Sequence, residues 1–357
     1  MFPRTFLKTC CAQQQVIRHL CNNHWQNGGG AKSKNPTILV TGGLGQLGVE
    51  CGKLLRSQYG AKKVILTDIR EPSSTILKAG PFQYADILDP KTLERIVIDN
   101  KVDWIIHLSA TLSAKGELNI PLATKVNIEG MHNIIELAKH YKLRIFVPST
   151  IGAFGPDCPR NPTPNLTVQR PRTIYGVSKV YAELLGEYYH HKFGLDFRCL
   201  RLPGVVSCDL PGGGTTDYAI DMFHSAMIKG AYECYLEPKT TVPMIYITDC
   251  LRAVYEFLVA PNSSLKRRVY NINAMSFCPE QLASEIRNYF PLFEVTYKPD
   301  VVRQEIADSW PQVLDDTEAR ADWRWSPKYD FKRMVGTMVD EVKTFYDTEP
   351  ERVEAVQ

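Results

Sequence analysis

The stretch Ile38-Leu39-Val40-Thr41-Gly42-Gly43-Leu44-Gly45-Gln46-Leu47-Gly48 decides the fold of this 357-residue chain. It begins as an apolar run, which predicts a buried strand, and continues into three glycines spaced three apart. A strand, a tight turn and a helix start in this order leave backbone N–H groups and the positive end of a helix dipole free to hold a dinucleotide pyrophosphate. Gly42 permits the turn, Gly45 the close approach of phosphate, and Gly48 the packing of helix on strand. An ordinary glycine turn is the alternative.

The segments that follow support the dinucleotide interpretation. Apolar residues at helical spacing occupy 46–57, a second apolar strand occupies 64–67, and Asp68 stands twenty residues beyond Gly48. An acidic side chain here accepts hydrogen bonds from the adenosine ribose and repels a 2′-phosphate. NAD is therefore favoured over NADP, although Arg70, two residues later, weakens that preference.

A third short strand closes with Asp86-Ile87-Leu88-Asp89, before a helix over 91–100. We place this strand beside the first one, so that Asp86 reaches the adenine amino group. Asp89 serves equally well as the N-terminal cap of the helix, and only Asp86 is assigned to the cofactor.

Short apolar strands alternate with helices up to residue 203, which predicts an α/β fold with a doubly wound parallel sheet of the Rossmann type. Within the strand over 104–108, His107 is interpreted as a buried core histidine. We expect an NAD-binding domain of residues 36–203 with returning segments over 240–274, of which 244–260 and 269–272 rejoin the sheet. Residues 204–239 and 275–346 would form a smaller α/β cap, followed by a tail over 347–357.

Composition excludes several classes of partner. The formal charge of +3, from 42 basic and 39 acidic residues, gives no field suited to nucleic acid. No apolar run reaches the roughly 20 residues that span a bilayer, so we expect no membrane insertion. The ten cysteines form no C-x-x-C pair and are interpreted as reduced thiols, with no metal site.

The amino-terminal 35 residues form a compositional block of their own. They carry basic residues and no acidic one, since the first acid in the chain is Glu50. Such a leader resembles a mitochondrial transit peptide and its linker, and a disordered tail is the alternative. The first interpretation predicts a mitochondrial matrix protein.

A tyrosine and a lysine stand at i and i+4 of one helix in Tyr175-Gly176-Val177-Ser178-Lys179. A free phenol has a pKa of about 10, and a neighbouring ammonium together with a positively charged nicotinamide ring would favour the phenolate. Tyr175 is therefore a candidate base for a substrate hydroxyl while hydride leaves the same carbon. The preceding strand ends in two more hydroxyls, Ser149-Thr150.

Taken together, these motifs resemble the extended short-chain dehydrogenase/reductase family, over the chain from Pro36 to about Tyr346. The residues that carry the resemblance are Thr41-Gly42-x-x-Gly45-x-x-Gly48, Asp86-Ile87, Val126-Asn127-Ile128-Glu129-Gly130, Ser149-Thr150 and Tyr175-x-x-x-Lys179.

The resemblance implies a role for each catalytic position. Tyr175 would be the acid/base, Lys179 would hold the ribose and lower the phenol pKa, Thr150 would bind the reacting oxygen, and Asn127 would support the site. This chain reads Pro148-Ser149-Thr150 where Ser-Ser-Ser is common in the family, so Ser149 stays open as the substrate hydroxyl. The implied cofactor-binding residues are Gly42, Gly45, Gln46, Leu47, Gly48, Asp68, Ile69, Arg70, Asp86, Ile87, Leu108, Ser109, Ala110, Tyr175, Lys179 and Leu202.

The prediction of the substrate depends on a second glycine cluster. Residues 212–214 are glycines that lead into Thr215 and Thr216, and their N–H groups and hydroxyls suit a small carboxylate; a capped glycine loop is the alternative. Most family members act on nucleotide sugars and carry an Asn-Val-Tyr-Gly-Pro-Arg-like run after the sixth strand. Here residues 201–207 read Arg-Leu-Pro-Gly-Val-Val-Ser, and no basic cluster follows to hold a diphosphate.

The stretches 108–117, 212–219 and 310–325 are similar to the L-threonine 3-dehydrogenases of the short-chain type. That resemblance implies oxidation of L-threonine by NAD+ to 2-amino-3-oxobutyrate and NADH, in a homodimer formed through helices over 121–140 and 175–192. The tryptophans at 323 and 325 are interpreted as cap packing. Substrate contacts would come from Ser113, Thr150, Tyr175, Gly214, Thr215 and Thr216. A nucleotide-sugar epimerase or dehydratase and a non-catalytic NAD-binding scaffold or sensor are the rival interpretations.

Overall fold

Twelve strands are present in the computed structural model, which describes residues 35–210 and 212–348. In chain order they are β1 Ile38–Thr41, β2 Val64–Asp68, β3 Phe82–Tyr84, β4 Trp104–His107, β5 Arg144–Thr150, β6 Asp196–Leu202, β7 Gly204–Val206, β8 Ala231–Cys234, β9 Val242–Tyr246, β10 Val269–Asn271, β11 Met275–Phe277 and β12 Glu294–Tyr297. Seven of them form one sheet in the order β3-β2-β1-β4-β5-β6-β10, with every neighbouring pair parallel. The prediction of a doubly wound parallel sheet is confirmed.

Thirteen α-helices connect and cover the strands of the described chain. They are α1 Gln46–Tyr59, α2 Ser74–Ala79, α3 Pro90–Asn100, α4 Ser113–Leu118, α5 Ile120–Thr124, α6 Gly130–His140, α7 Ile174–Phe193, α8 Tyr218–Ile228, α9 Ile247–Val259, α10 Pro279–Ile286, α11 Val301–Asp308, α12 Thr317–Trp323 and α13 Phe331–Thr348. A π-helical segment, Lys125–Glu129, joins α5 to α6. The helix expected over 121–140 therefore contains this one irregular segment.

The central strands are apolar throughout because both faces of the sheet are covered. Leu39 of β1 and Ile65 of β2 belong to the hydrophobic core on one face, whereas Val40 and Leu66 belong to the core on the other. Side chains alternate between the faces of a strand, so neighbouring residues enter different cores. The carboxyl ends of β1, β4 and β5 consequently meet at one edge, where the strand order reverses and ligands bind in folds of this kind.

Two small sheets lie outside the main sheet, one of order β11-β9-β7 and one parallel pair, β12-β8. The expectation that 244–260 rejoins the main sheet is wrong, since β9 pairs with β7 and β11, and the rest of that segment is helix α9. Helix α9 does pack on α1 and β6, which explains its apolar face. The returning segment near 269 joins the main sheet through β10. Trp323 and Trp325 are buried, and Trp323 packs on Phe257 of α9 and on Tyr270 of β10 in the main sheet.

The third strand also differs from its predicted place. β3 pairs with β2 at the edge of the sheet, and the neighbours of β1 are β2 and β4. The placement of Asp86 on a strand beside the first one is therefore wrong: Asp86 lies two residues past an edge strand, where its carboxylate accepts the Leu88 N–H at 2.9 Å. An alternation pattern of strands and helices does not encode which strands become neighbours.

Some expectations concern the chain termini. The leader interpretation falls on residues 1–34, which lie outside the described residues, as do residues 349–357 of the expected tail. Residues 347 and 348 belong to helix α13. No helix in the described part of the chain is long and apolar enough to cross a membrane.

Candidate active site

A cleft of about 300 Å³ opens at the carboxyl edge of the central strands and is closed from the other side by the cap. Most of the predicted site residues line it. They are Gly42, Gly45, Gln46, Leu47, Gly48, Leu108, Ala110, Ser113, Thr150, Tyr175, Lys179, Leu202, Gly214, Thr215 and Thr216. Residues from both glycine clusters and from the Tyr175 helix thus share one cavity.

The first glycine cluster forms the tight turn that the spacing predicts. Gly42 has a φ of +68° and begins the turn that joins β1 to α1. The first residue of α1 is Gln46. A Cβ atom on Gly48 would lie 2.2 Å from the Gly42 carbonyl oxygen, so only glycine allows this approach of helix and turn. Gly45 caps the helix without a side chain, which leaves the N–H groups of the first turn directed toward the cleft.

Asp68 stands beside this turn at the end of β2. One carboxylate oxygen, Oδ2, accepts the Leu44 N–H at 3.0 Å, and Arg70 donates to both oxygens. Burial by itself would raise the pKa of Asp68, but these hydrogen bonds hold it below its usual value. The turn N–H groups and this ionised carboxylate fit the pyrophosphate and adenosine ribose of NAD.

The remaining predicted cofactor residues surround the cleft without lining it. The backbone of Ser109 packs on Gly42, because a Cβ added there would lie 2.7 Å from the Ser109 nitrogen. Ile69 is exposed and Ile87 is buried against Gly130.

Tyr175 and Lys179 lie one turn apart on α7, with the lysine Nζ 5.5 Å from the centroid of the phenol ring. Lys179 donates to the Pro148 carbonyl at 2.8 Å. Burial raises the pKa of Tyr175 to about 12, a shift opposed by a hydrogen bond with Thr150, and burial lowers the pKa of Lys179 to about 8. The phenol is therefore neutral in the free protein, and Lys179 by itself does not produce the expected phenolate.

The two hydroxyl residues at the end of β5, Ser149 and Thr150, both line the cleft and have different partners. Thr150 is partly exposed in the cleft, where its Oγ1 accepts the Gly152 N–H at 3.1 Å. Ser149 is buried and donates to Glu183, which also forms a two-point ion pair with Arg201. Of the two, Thr150 is the hydroxyl whose side chain stands beside the Tyr175 phenol.

Asn127 lies in the π-helical segment and is buried. Its side chain donates to the Thr111 carbonyl at 2.9 Å and accepts the Thr111 N–H at 2.7 Å. Both backbone groups of Thr111 are thereby satisfied by one amide, which holds the segment that follows β4 at the edge of the cleft. π-Helical turns inside α-helices are frequent at functional sites.

The second glycine cluster differs from its expected chemistry. The N–H groups of Gly213 and Gly214, which were expected to bind an anion, both donate to Asp217 Oδ2 at 2.7 Å. A carboxylate three and four residues further on folds back on the turn and occupies these donors. The hydroxyl of Thr215 is buried and has no hydrogen-bond partner among the described residues.

Several lining residues escaped sequence reasoning. They are Leu112, Pro148, Ile151, Pro203, Gly204, Val205, Asp217 and Trp310. The indole of Trp310 approaches the cleft near Gly152, to which it is brought by the pairing of the 155–171 loop with the segment around Val313. Nothing in the sequence near residue 310 records that contact. Asp217 had a local signal, since it follows the two threonines directly.

His107 is a buried histidine, as predicted from its place inside an apolar strand. Its Nδ1 is 2.8 Å from the Thr41 hydroxyl of the neighbouring strand. Burial, with a smaller contribution from the charge of Lys179, lowers its pKa to about 3, so it is neutral. It connects the glycine-turn strand to β4 and is no candidate for proton transfer.

Known proteins resemble this chain over most of its length. Residues 38–273 match the model of the NAD dependent epimerase/dehydratase family. A Sus scrofa protein named L-threonine 3-dehydrogenase, mitochondrial, is 53% identical over 339 residues, which cover 95% of this chain and 90% of the relative. The crystal structure of an L-threonine dehydrogenase from Phytophthora infestans is 46% identical, covers 86% of this chain and 99% of its own, and has a TM-score of 0.84.

A second similar structure is a monomeric L-threonine 3-dehydrogenase from a metagenome, in its apo form. It is 42% identical, covers 86% of this chain and 99% of its own, and has a TM-score of 0.83. The family description names NAD, the cofactor predicted from Asp68. Because the matched residues include the glycine turn, Asp68, Tyr175 and Lys179, the chain belongs to the NAD dependent epimerase/dehydratase family, the extended short-chain dehydrogenase/reductases.

Proposed function

We propose that this chain is an NAD-dependent L-threonine 3-dehydrogenase. The observation that carries the proposal is the meeting, in one cleft, of Tyr175 and Thr150 with the buried, unpartnered hydroxyl of Thr215. A phenol and a hydroxyl suit the carbinol of a small hydroxy compound, and the orphaned hydroxyl calls for a polar ligand. The names of the Sus scrofa and Phytophthora relatives support threonine as that compound.

In the proposed reaction the 3-hydroxyl of threonine lies between Thr150 and Tyr175, and Tyr175 accepts its proton. NAD+, when bound, supplies the hydride acceptor and a positive charge beside the phenol. Lys179 holds the cofactor ribose, and its own charge adds to the stabilisation of phenolate. Since Asp217 occupies two turn N–H groups, we assign the substrate carboxylate to the hydroxyls of Ser113, Thr215 and Thr216. The product is 2-amino-3-oxobutyrate.

NADH formation by the purified chain, with L-threonine as the varied substrate, tests the proposal. We expect threonine-dependent absorbance in the wild type. Tyr175→Phe should lower kcat by about 10²- to 10⁴-fold, the usual contribution of a general base, while the Kd of NAD stays within about twofold. An inactive wild type with intact NAD binding would favour the scaffold or sensor alternative.

Thermal unfolding of the NAD complex distinguishes a threonine dehydrogenase from an enzyme that acts on nucleotide sugars. A ligand that binds only the folded state raises the melting temperature in proportion to its affinity and concentration. We expect L-threonine to raise the melting temperature of the NAD complex and a UDP-sugar to leave it unchanged. The reverse result would assign the chain to the epimerases or dehydratases of its family.

We also propose that the chain is a homodimer of the mitochondrial matrix, with the cap boundaries expected above. A row of exposed apolar side chains on α7, Val177, Leu184 and Tyr188, supports the dimer, since residues spaced by seven and four share one helix face. Leu118 and Ile120, at the neighbouring α4 and α5, are exposed as well. The name of the Sus scrofa relative and the acid-free leader support the mitochondrial location.

A further inference from the structure

Glu117 joins the short helix α4 to the first turn of α7. Its Oε1 accepts the Ile174 N–H at 2.7 Å, and Ile174 is the first residue of α7. The N-cap residue Thr173 accepts the Gly176 N–H, because an N-cap side chain reaches the second or third N–H of a helix and not the first. The first N–H of α7 therefore takes its partner from elsewhere in the chain, and α4 supplies a carboxylate.

The two helices approach closely beside this hydrogen bond. A Cβ on Gly116 would lie 3.3 Å from Ile174 Cγ2, which is tighter than ordinary van der Waals contact. Three of the 6 residues of α4 are exposed, namely Lys115, Glu117 and Leu118. A helix this short has little stability of its own, so the position of α4 depends on its contacts with α7.

Helix α4 also brings Ser113 into the cleft. Ser113 is the first residue of α4, is buried, and lines the cleft. Ser113 and Glu117 stand at i and i+4, about one turn apart. Ile174 precedes Tyr175 directly in the chain. The hydrogen bond from Ile174 to Glu117 therefore connects the segment that carries one predicted substrate residue to the segment that carries the candidate base.

Ser113 lies between two anchored points of the chain. Two residues before it, both backbone groups of Thr111 are held by the Asn127 amide. Four residues after it, Glu117 is held on α7. A site works only when its groups are held to about 0.5 Å of the productive geometry, and a segment fixed at both ends provides that precision for the side chain between them.

We propose that Glu117 is a positioning residue, which docks α4 on the first turn of α7 and so sets the place of the Ser113 hydroxyl relative to the Tyr175 phenol. This inference rests on the proposed function, in which Ser113 contacts the substrate carboxylate and Tyr175 accepts the 3-hydroxyl proton. Glu117 is not among the residues that line the cleft, so it acts through Ser113. Its loss should impair the use of threonine and leave NAD binding unchanged.

Three substitutions of Glu117 separate the hydrogen bond from the charge. Glu117→Ala removes the acceptor, Glu117→Gln keeps an acceptor oxygen without the charge, and Glu117→Asp keeps the charge on a shorter side chain. We expect kcat/KM for L-threonine to fall about 10- to 100-fold in the Ala and Asp variants, since a misplacement of about 1 Å can cost about 100-fold. The Gln variant should stay within about threefold of wild type, because a neutral hydrogen bond replaces a charged one. The Kd of NAD should not change in any of them.

Asp330→Ala is the matched control. Asp330 is exposed and outside the cleft lining, and its Oδ1 accepts the Arg333 N–H at 2.8 Å in the first turn of α13. This variant loses a carboxylate that accepts a helix N–H, as Glu117→Ala does, so the two should lower the Tm by similar amounts. Only Glu117→Ala should lower kcat/KM.

A double-mutant cycle tests whether Glu117 acts through Ser113. Two groups that act through each other give losses that do not add. In a Ser113→Ala background, Glu117→Ala should therefore lower kcat/KM by less than about threefold. Fully additive losses would overturn the inference, as would a Gln variant as impaired as the Ala variant or a Glu117→Ala variant with wild-type kcat/KM.

Wild-type turnover is measured first. Its absence bears on the proposed function, whereas a loss confined to the Glu117 variants bears on this inference alone.

Discussion

At the end of β5 two adjacent hydroxyls have separate tasks. Ser149 is tied to Glu183, whose carboxylate is shared with Arg201 and with Gln169 Nε2 at 2.9 Å. Both residues line the cleft, and only Thr150 has a hydrogen bond with Tyr175 among the described contacts. The buried network supports the strand, and we propose that Thr150 takes part in the chemistry.

Substituting each hydroxyl in turn should separate structure from catalysis. Ser149→Ala removes one of the two donors to Glu183 Oε1, the other being Arg201 Nε, which we expect to lower the free energy of unfolding by about 1–3 kcal/mol with a small effect on kcat. Thr150→Ala should lower kcat by at least about tenfold with little effect on unfolding. Urea unfolding of both variants measures the change in the free energy of unfolding, and steady-state kinetics measures the change in kcat. A larger kcat loss in Ser149→Ala would reverse the assignment.

The charge of Lys179 should be visible in the pH profile. A general base must be deprotonated, so kcat rises with pH through the phenol pKa in the cofactor complex. A nearby cation lowers that pKa, and removing it raises the pKa. Lys179→Met should therefore move the acid limb of the kcat profile to higher pH by about 1–3 units. Lys179→Arg keeps the charge and should keep the limb near its original position. An unmoved limb in Lys179→Met would show that the lysine does not act on the phenol.

At the scale of elements, the first glycine cluster lets helix α1 lie close to the turn that precedes it. A Cβ on Gly48 would meet the Gly42 oxygen at 2.2 Å and the Gly43 Cα at 2.8 Å, and both are backbone atoms that cannot move aside. At Gly212, in the second cluster, a Cβ meets nothing within 4 Å. Gly48 and Gly212 therefore differ in how strictly glycine is required, whereas Gly213, with a φ of +96°, favours glycine for its backbone conformation.

This difference gives a matched pair of substitutions. Gly48→Ala should lower the free energy of unfolding by about 1–3 kcal/mol through overpacking and weaken NAD binding, because the helix must move away from the turn. Gly212→Ala should change stability by less than about 0.5 kcal/mol. Thermal unfolding and NAD titration test both variants. Equal effects at the two positions would mean that the turn tolerates a side chain.

At the scale of the whole molecule, helix α7 exposes an apolar face to solvent. Burial of this face in a dimer would remove it from water. An apolar row on a solvent-facing helix marks an interaction surface. Leu184, exposed by 59%, lies at its centre.

We expect the wild type to sediment at twice the mass of one chain and Leu184→Glu to sediment as a monomer, because a charge buried in a dimer interface lacks a partner. Leu292→Glu is the control, since Leu292 is 90% exposed in the cap and away from α7. Analytical ultracentrifugation measures the mass of the wild type and of both variants, and Leu292→Glu should remain a dimer. A wild-type monomer, as in the similar metagenome protein, would disprove the dimer proposal.

Much of the fold was predictable because its signals are local. A buried parallel strand is apolar at every position, and a helix repeats every 3.6 residues, so β1, α1, β4 and α7 are readable without tertiary information. Tyr175 and Lys179 share a helix face by spacing alone. The order of strands was not predictable: the place of β3 at the edge and of β9 in a separate sheet depends on which surfaces remain uncovered after the chain has folded.

By itself the sequence determined the parallel sheet, the glycine turn, the acidic residue Asp68 at the end of β2 and the Tyr175–Lys179 pair, because each is set by neighbours within a few turns of the chain. Only the tertiary structure decided that Ser149 donates to Glu183 while Thr150 pairs with Tyr175, and that Trp310 lines the site. It also decided that Asp217 occupies the N–H groups of its own turn. These contacts depend on side-chain direction and on elements far apart in sequence, and neither quantity has a periodic signature in the chain.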